Sequence, residues 1–146
     1  MGSSSGLETY AERLQAYVEK LGLTNHVFFT GHISFQEILA YYQLADAFIC
    51  MSEHEGFCVP IVEAMYFGKP ILAYAAAAVP ETLGDGGLLM ADKDPEVAAA
   101  AIHRLTTDGA LQKILRQAQV EQLKGYQYEP VQKQLWQIFE GILGKQ

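Results

Sequence analysis

The chain is short of charge, cysteine and tryptophan. Only 18% of its 146 residues are charged, too few for a disordered tail, while 50% are hydrophobic, enough for a core. Basic residues are fewer than acidic ones, and the formal net charge is -7. That excludes a general nucleic-acid binder, which needs a basic footprint to displace phosphate counterions. It leaves room for a small pocket that holds one diphosphate. Two cysteines, Cys50 and Cys58, make no disulfide framework. No apolar run reaches membrane-spanning length, and no secretory-type apolar stretch opens the chain. A reduced, cytoplasmic protein of one domain is the expectation.

What is present is a regular alternation. Residues 1–6, Met-Gly-Ser-Ser-Ser-Gly, read as a linker, a cloning scar or the loop left after a strand. Leu14, Tyr17, Val18 and Leu21 then recur at helical spacing, with Gly22 as a stop. Val27–Phe29 reads as a short apolar strand. Ser34 and Glu37 have capping-box spacing, ahead of a helix whose inner face would use Phe35, Ile38, Leu39 and Tyr42. Further strands are expected at Ala47–Met51, Ile71–Tyr74 and Leu88–Met90, with helices over Pro60–Phe67 and near Pro80–Leu83. Three more helices should follow, over Pro95–Leu105, Ala110–Lys124 and Pro130–Leu143. Ala75–Ala78 is a brief low-complexity patch, expected as a tightly packed loop. The strands are continuous apolar runs with helices between them. This predicts an α/β fold: a Rossmann-like parallel sheet of about four strands with helices on both faces.

The stretch from Ser52 to Met65 carries the chemistry. A buried strand ends there, a loop with Gly56 follows, and Pro60 suits the first position of a helix. Ligands of open α/β sheets bind at the carboxyl ends of the strands, and free N–H groups at a helix N-terminus favour a phosphate. Glu55 in the loop and Glu63 in the helix can accept hydrogen bonds from sugar or ribose hydroxyls. Each feature taken singly has a plainer explanation: a helix-dipole partner, a solvated loop or a turn. His54, Glu55 and Cys58 superficially resemble metal ligands, but one three-residue cluster without a matching second pair does not make a zinc site, so no metal is expected. Cys50 should lie in the core and His103 on the surface.

Together these residues resemble the E-x7-E motif of the family 4 retaining glycosyltransferases, in which two glutamates, here Glu55 and Glu63, are separated by seven residues. Val27–Gly31, Ala40–Tyr42 with Ala45-Asp46, Gly68–Ile71, Pro80-Glu81 and Gly87–Leu89 also fall where that family has strand ends and turns, so the resemblance runs over residues 7 to 125. It implies a donor-binding, C-terminal half of a GT-B enzyme, cut short at its N-terminal end, with residues 7–146 as a partial nucleotide-sugar-binding domain. Glu63 would bind the donor ribose, and Glu55 would contact the sugar at the reacting centre. The backbone of Gly56, Phe57, Cys58 and Val59 would cradle sugar and phosphate, and that of His32 and Ile33 would face the nucleobase. The family often has glycine where this chain has Cys58 and Ala77-Ala78, which puts the form of both turns in question. The implied partners are a nucleoside diphosphate sugar as donor, an absent N-terminal acceptor domain and, for the full enzyme, the membrane surface. No cofactor is implied.

The Arg and Lys that neutralise the donor diphosphate in this family have no counterpart here. A non-hydrolysing sugar-nucleotide epimerase and a non-catalytic binding or assembly module are the alternatives. A receiver domain fits poorly, because Asp46 precedes its strand rather than ending it. The apolar stripe of Trp136, Ile138, Phe139 and Ile142 is expected to pack against the domain, the alternative being the absent partner domain. Without the two strands that normally precede it, Val27–Phe29 should either move beside Ala47–Met51 in a contracted four-stranded sheet or drive two chains to pair edge to edge.

Overall fold

The computed structural model describes residues 5–143. Residues 1–4 of the stretch read as a linker lie outside the described residues, and Ser5 and Gly6 already belong to helix α1 (Ser5–Lys20). The chain divides into two compact units, Met1–Phe35 and Gln36–Gln146. In the first, α1 half-buries Leu14 and Val18 and leaves Tyr17 exposed, as is Leu21 just beyond its end. The segment 27–31 that follows is irregular.

Val27–Phe29 is therefore not a strand, and among the described residues it pairs with none. The contracted four-stranded sheet does not form. Three apolar residues carry no ladder of their own, and with no neighbour on either edge their backbone gains nothing from extension. Val27, Phe28 and Phe29 are exposed by 36%, 77% and 50%.

The second unit holds a parallel sheet of three strands in the order β1-β2-β3: β1 (Phe48–Cys50), β2 (Ile71–Tyr74) and β3 (Leu88–Met90). Phe48 is in register with Ile71, and Leu72 with Leu88. Helix α2 (Phe35–Leu44) precedes β1, α3 (Val59–Tyr66) joins β1 to β2, and α4 (Val79–Leu83) joins β2 to β3. α5 (Pro95–Thr107), α6 (Gly109–Lys124) and α7 (Tyr128–Leu143) complete the chain.

The central strand shows why the sheet needs cover on both faces. Side chains alternate along a strand, so Ile71 and Ala73 enter one cluster with Cys50, Ile61, Ala64 and Met65. Leu72 enters the other with Met90, Leu105 and Leu115. α3 closes the first face, α5 closes the second, and α6 packs on both helices. Ile71, Leu72 and Ala73 are wholly buried. α3 ends in a Schellman turn, in which Lys69 N–H donates to the Ala64 carbonyl and Gly68 N–H to that of Met65, with Gly68 at φ 62°. Asp94 and Asp108 cap α5 and α6 through their carboxylates.

Two expectations about helix faces differ from the structure. Phe35, read as part of the inner face of α2, is the helix's first residue and stays 62% exposed, while Tyr42 alone on that helix is buried. α7 buries none of its residues: Trp136, Ile138, Phe139 and Ile142 are all exposed, so the stripe does not pack against the domain. An amphipathic face records a preference for burial, and here nothing in the unit covers it. His103 is exposed and Cys50 buried, as expected.

Candidate functional site

β1 ends at Cys50, and residues 51–58 run from its carboxyl end into α3. Cys58 is the N-cap of α3, in the left-handed region at φ 63°, and Pro60 follows within the first helical positions. The Cys58 carbonyl accepts from Ile61 N–H at 3.0 Å. Among the described residues, the N–H groups of Phe57, Cys58 and Val59 find no acceptor, and they sit where a helix N-terminus offers donors to an anion. The loop is fixed from α4 and its N-cap. Thr82 Oγ1 donates to the Phe57 carbonyl at 2.6 Å, and Ala78 N–H to the Glu55 carbonyl at 3.4 Å. The Phe57 ring meets the Tyr126 ring edge to face, at 5.2 Å.

Of the three positions where the sequence departs from the family's glycines, two, Cys58 at 63° and Ala77 at 49°, are the non-glycine residues with positive φ among the described residues. The backbone keeps the glycine conformation and the side chains bear the steric cost, which is about 1–2 kcal/mol per residue. Ala78 lies at φ -80° and opens α4.

Glu63 lies in the second turn of α3, half-buried, and its Oε2 accepts from the Tyr42 hydroxyl at 3.0 Å. The Pro60 carbonyl, 3.2 Å from the same hydroxyl, is its second acceptor. Burial, and then the Glu63 carboxylate, push the Tyr42 hydroxyl well above the usual tyrosine range, so it stays a donor. Tyr42 stacks on Phe67 at 5.4 Å and is thereby held in place. Glu63 thus presents a pre-oriented carboxylate, with one oxygen engaged by tyrosine.

Glu55 is half-buried, and its carboxylate lies near the thiols of Cys50 and Cys58. The two sulfurs are 3.7 Å apart and both cysteines are free. Burial pushes the Cys58 thiol up to about 11, with a smaller contribution from Cys50. Glu53, exposed on the same loop, pairs with Lys93 at 2.8 Å, which holds its carboxyl below the usual range. Lys93 comes from the turn after β3 and lies over the Tyr74 ring at 4.8 Å. Among the described ion pairs it brings the one cation that reaches this loop.

The structure thus gathers Glu55, Gly56, Phe57, Cys58 and Val59 on one strand-to-helix turn, with Glu63 one turn further on. His32, exposed, and Ile33, half-buried, belong to the first unit. Three links escaped the sequence reading. Tyr42 read as core, yet it also positions Glu63. Cys50 and Cys58 read as unrelated, yet they touch. Lys93 carried no signal, because its partner lies forty residues away.

A family profile for glycosyl transferases group 1 matches residues 5–122. A D-inositol 3-phosphate glycosyltransferase of Corynebacterium urealyticum is 28% identical over 96% of this chain and 33% of its own length. The chain spans a third or less of the first curated relatives it matches. A solved C-terminal domain of a group 1 glycosyl transferase from Francisella tularensis superposes with a TM-score of 0.71 and 27% identity, covering 87% of this chain and 67% of that one. Anabaena HepE, solved in complex with UDP-glucose, gives 0.74 and 26% over 92% of this chain and 37% of its own. Among the described residues, no helix is long and apolar enough to cross a membrane. With the sheet, the strand-to-helix turn and the profile in agreement, this chain belongs to the glycosyl transferases group 1 family.

Proposed function

We propose that this chain supplies the donor side of a retaining hexosyltransferase that uses a nucleoside diphosphate sugar. The observation that carries the reading is the Glu63 carboxylate, oriented by Tyr42 one turn beyond a helix N-terminus at the carboxyl end of a parallel strand. Glu63 would accept from the ribose hydroxyls through the oxygen that Tyr42 leaves free. Glu55 would contact the sugar at the anomeric carbon. The N–H groups of Phe57, Cys58 and Val59 would hold the distal phosphate. The binding of UDP-glucose by the Anabaena relative supports this class of donor.

In the reaction, the bond from the anomeric carbon to the phosphate oxygen breaks as the acceptor hydroxyl oxygen bonds to that carbon with retained configuration, and the hydroxyl proton passes to the departing diphosphate. Negative charge gathers on the departing diphosphate. Fixed N–H donors aimed at it lower the barrier, because they need not reorganise as the charge develops. The transfer itself needs no cofactor and no metal. The acceptor would bind to a further domain, in a cytoplasmic enzyme working at the membrane surface, and this chain alone would bind donor without transferring sugar.

A panel of nucleoside diphosphate sugars with simple acceptors tests this. Calorimetry should find donor binding, and release of nucleoside diphosphate should stay at background. Steady turnover by this chain would overturn the divided architecture, and absence of binding across the panel would overturn the donor role.

A further inference from the structure

Cys50 and Cys58 have no part in the proposed transfer beyond the backbone of Cys58, yet their side chains meet in the core beside Glu55. The two sulfurs and a Glu55 carboxylate oxygen lie within 4.8 Å of one another. The sulfur separation is 3.7 Å. Two thiolates that share a tetrahedral Zn²⁺, at metal–sulfur bonds of about 2.3 Å, stand about 3.8 Å apart. The same separation serves an S–H···S contact here, so the sulfur spacing already suits an ion. Glu55 is half-buried on a loop, so its carboxylate is the ligand of the three that stands nearest to solvent.

The backbone explains why the sulfurs converge. Cys50 is the last residue of β1, pointing into the α3 face of the sheet. Cys58 caps α3 in the left-handed conformation, at a place where glycine would be free of strain, and turns its thiol inward to 3% exposure. A glycine there would remove one of the two sulfurs.

We propose that Cys50, Cys58 and Glu55 form a site for a thiophilic divalent cation of the zinc group, with a fourth position open to water, and that its occupation withdraws Glu55 from the donor sugar. The metal would then inhibit donor binding. Binding of the ion stands on the geometry alone, whereas the inhibition rests on the donor role of Glu55.

The test titrates the reduced, metal-free chain with Cd²⁺ alone and follows thiolate-to-cadmium charge transfer in the ultraviolet. The expected result is a band that saturates at one ion per chain. Cys58→Gly, which suits the backbone and should fold at least as well by circular dichroism, should lose the saturating band. Cys50→Ala should behave likewise. Glu55→Gln should keep the band, because both thiolates remain, and shift its half-saturation to higher Cd²⁺. A titration without the band, or one that Cys58→Gly leaves unchanged, overturns the site. Calorimetry with a nucleoside diphosphate sugar, first without metal and then with one equivalent of Zn²⁺, addresses the inhibition. If the sugar binds only without metal, the inhibition holds, and equal affinity in both overturns it. No sugar binding in either leaves the Cd²⁺ result standing and removes the donor reading, with the inhibition that depends on it.

Discussion

At the amino ends of the strands, the backbone is packed to contact. A Cβ at Gly87 would lie 2.8 Å from the Ile71 carbonyl oxygen, and the buried Gln119 amide donates to the carbonyls of Lys69 and Gly86. At the carboxyl ends, Cys58 and Ala77 occupy left-handed conformations, the N–H groups of Phe57, Cys58 and Val59 find no acceptor among the described residues, and two thiols lie beside the Glu55 carboxylate. The first end is closed by backbone contact and the Gln119 amide, with the Gln119 Oε1 atom left without a partner, while the second holds strain and unspent donors. That division suits a domain whose stability is set at one edge and whose ligand chemistry sits at the other.

Substitutions at the two ends should therefore act in opposite directions. Gly87→Ala should have the largest effect, destabilising by about 3 kcal/mol, because the obstacle is backbone and cannot swing away. Chemical denaturation measures it, and a loss under about 1 kcal/mol would break the contrast. Gln119→Ala comes next, at about 2 kcal/mol, since two buried carbonyls lose their donor. The Gln119 Oε1 atom is itself buried without a partner, which trims that loss. At the other end, Ala77→Gly should stabilise the fold by about 1 kcal/mol, because glycine adopts φ 49° without steric cost. A destabilised Ala77→Gly variant would show that the strain is absent.

The smallest effect is a pH dependence at Tyr42. Its pKa is raised in the folded chain, so the stability it contributes is fully present below about pH 10, the ordinary tyrosine value, and is lost as the pH climbs from there toward the folded value. Urea midpoints between pH 8 and pH 11 should fall further for the native chain than for Tyr42→Phe, and parallel curves would contradict a buried Tyr42 hydroxyl that stays protonated.

The same contrast governs what the sequence makes legible. β2 and β3 stand where their apolar runs place them, and α3 starts within a residue of the position that Pro60 suggests. These are local signals that burial later reinforces. Val27–Phe29 has the same composition and forms no strand, because a strand depends on a neighbour that the run itself does not specify. The α7 stripe fails for the same reason. In the site, Glu55 and Glu63 are legible from spacing along one loop and helix. Tyr42 and Lys93 reach that loop from other elements, and the Cys50–Cys58 contact depends on the backbone turn at position 58. Only folded coordinates show these.

The central claim is that Glu63 recognises the nucleotide. Calorimetry with the nucleoside diphosphate corresponding to the bound donor, on the native chain, Glu63→Ala and Glu55→Ala, tests it most directly. Glu63→Ala should lose about 1.5–3 kcal/mol of affinity, the worth of a charge-assisted hydrogen bond, while Glu55→Ala should stay close to the native value. Unchanged affinity in Glu63→Ala would contradict the account.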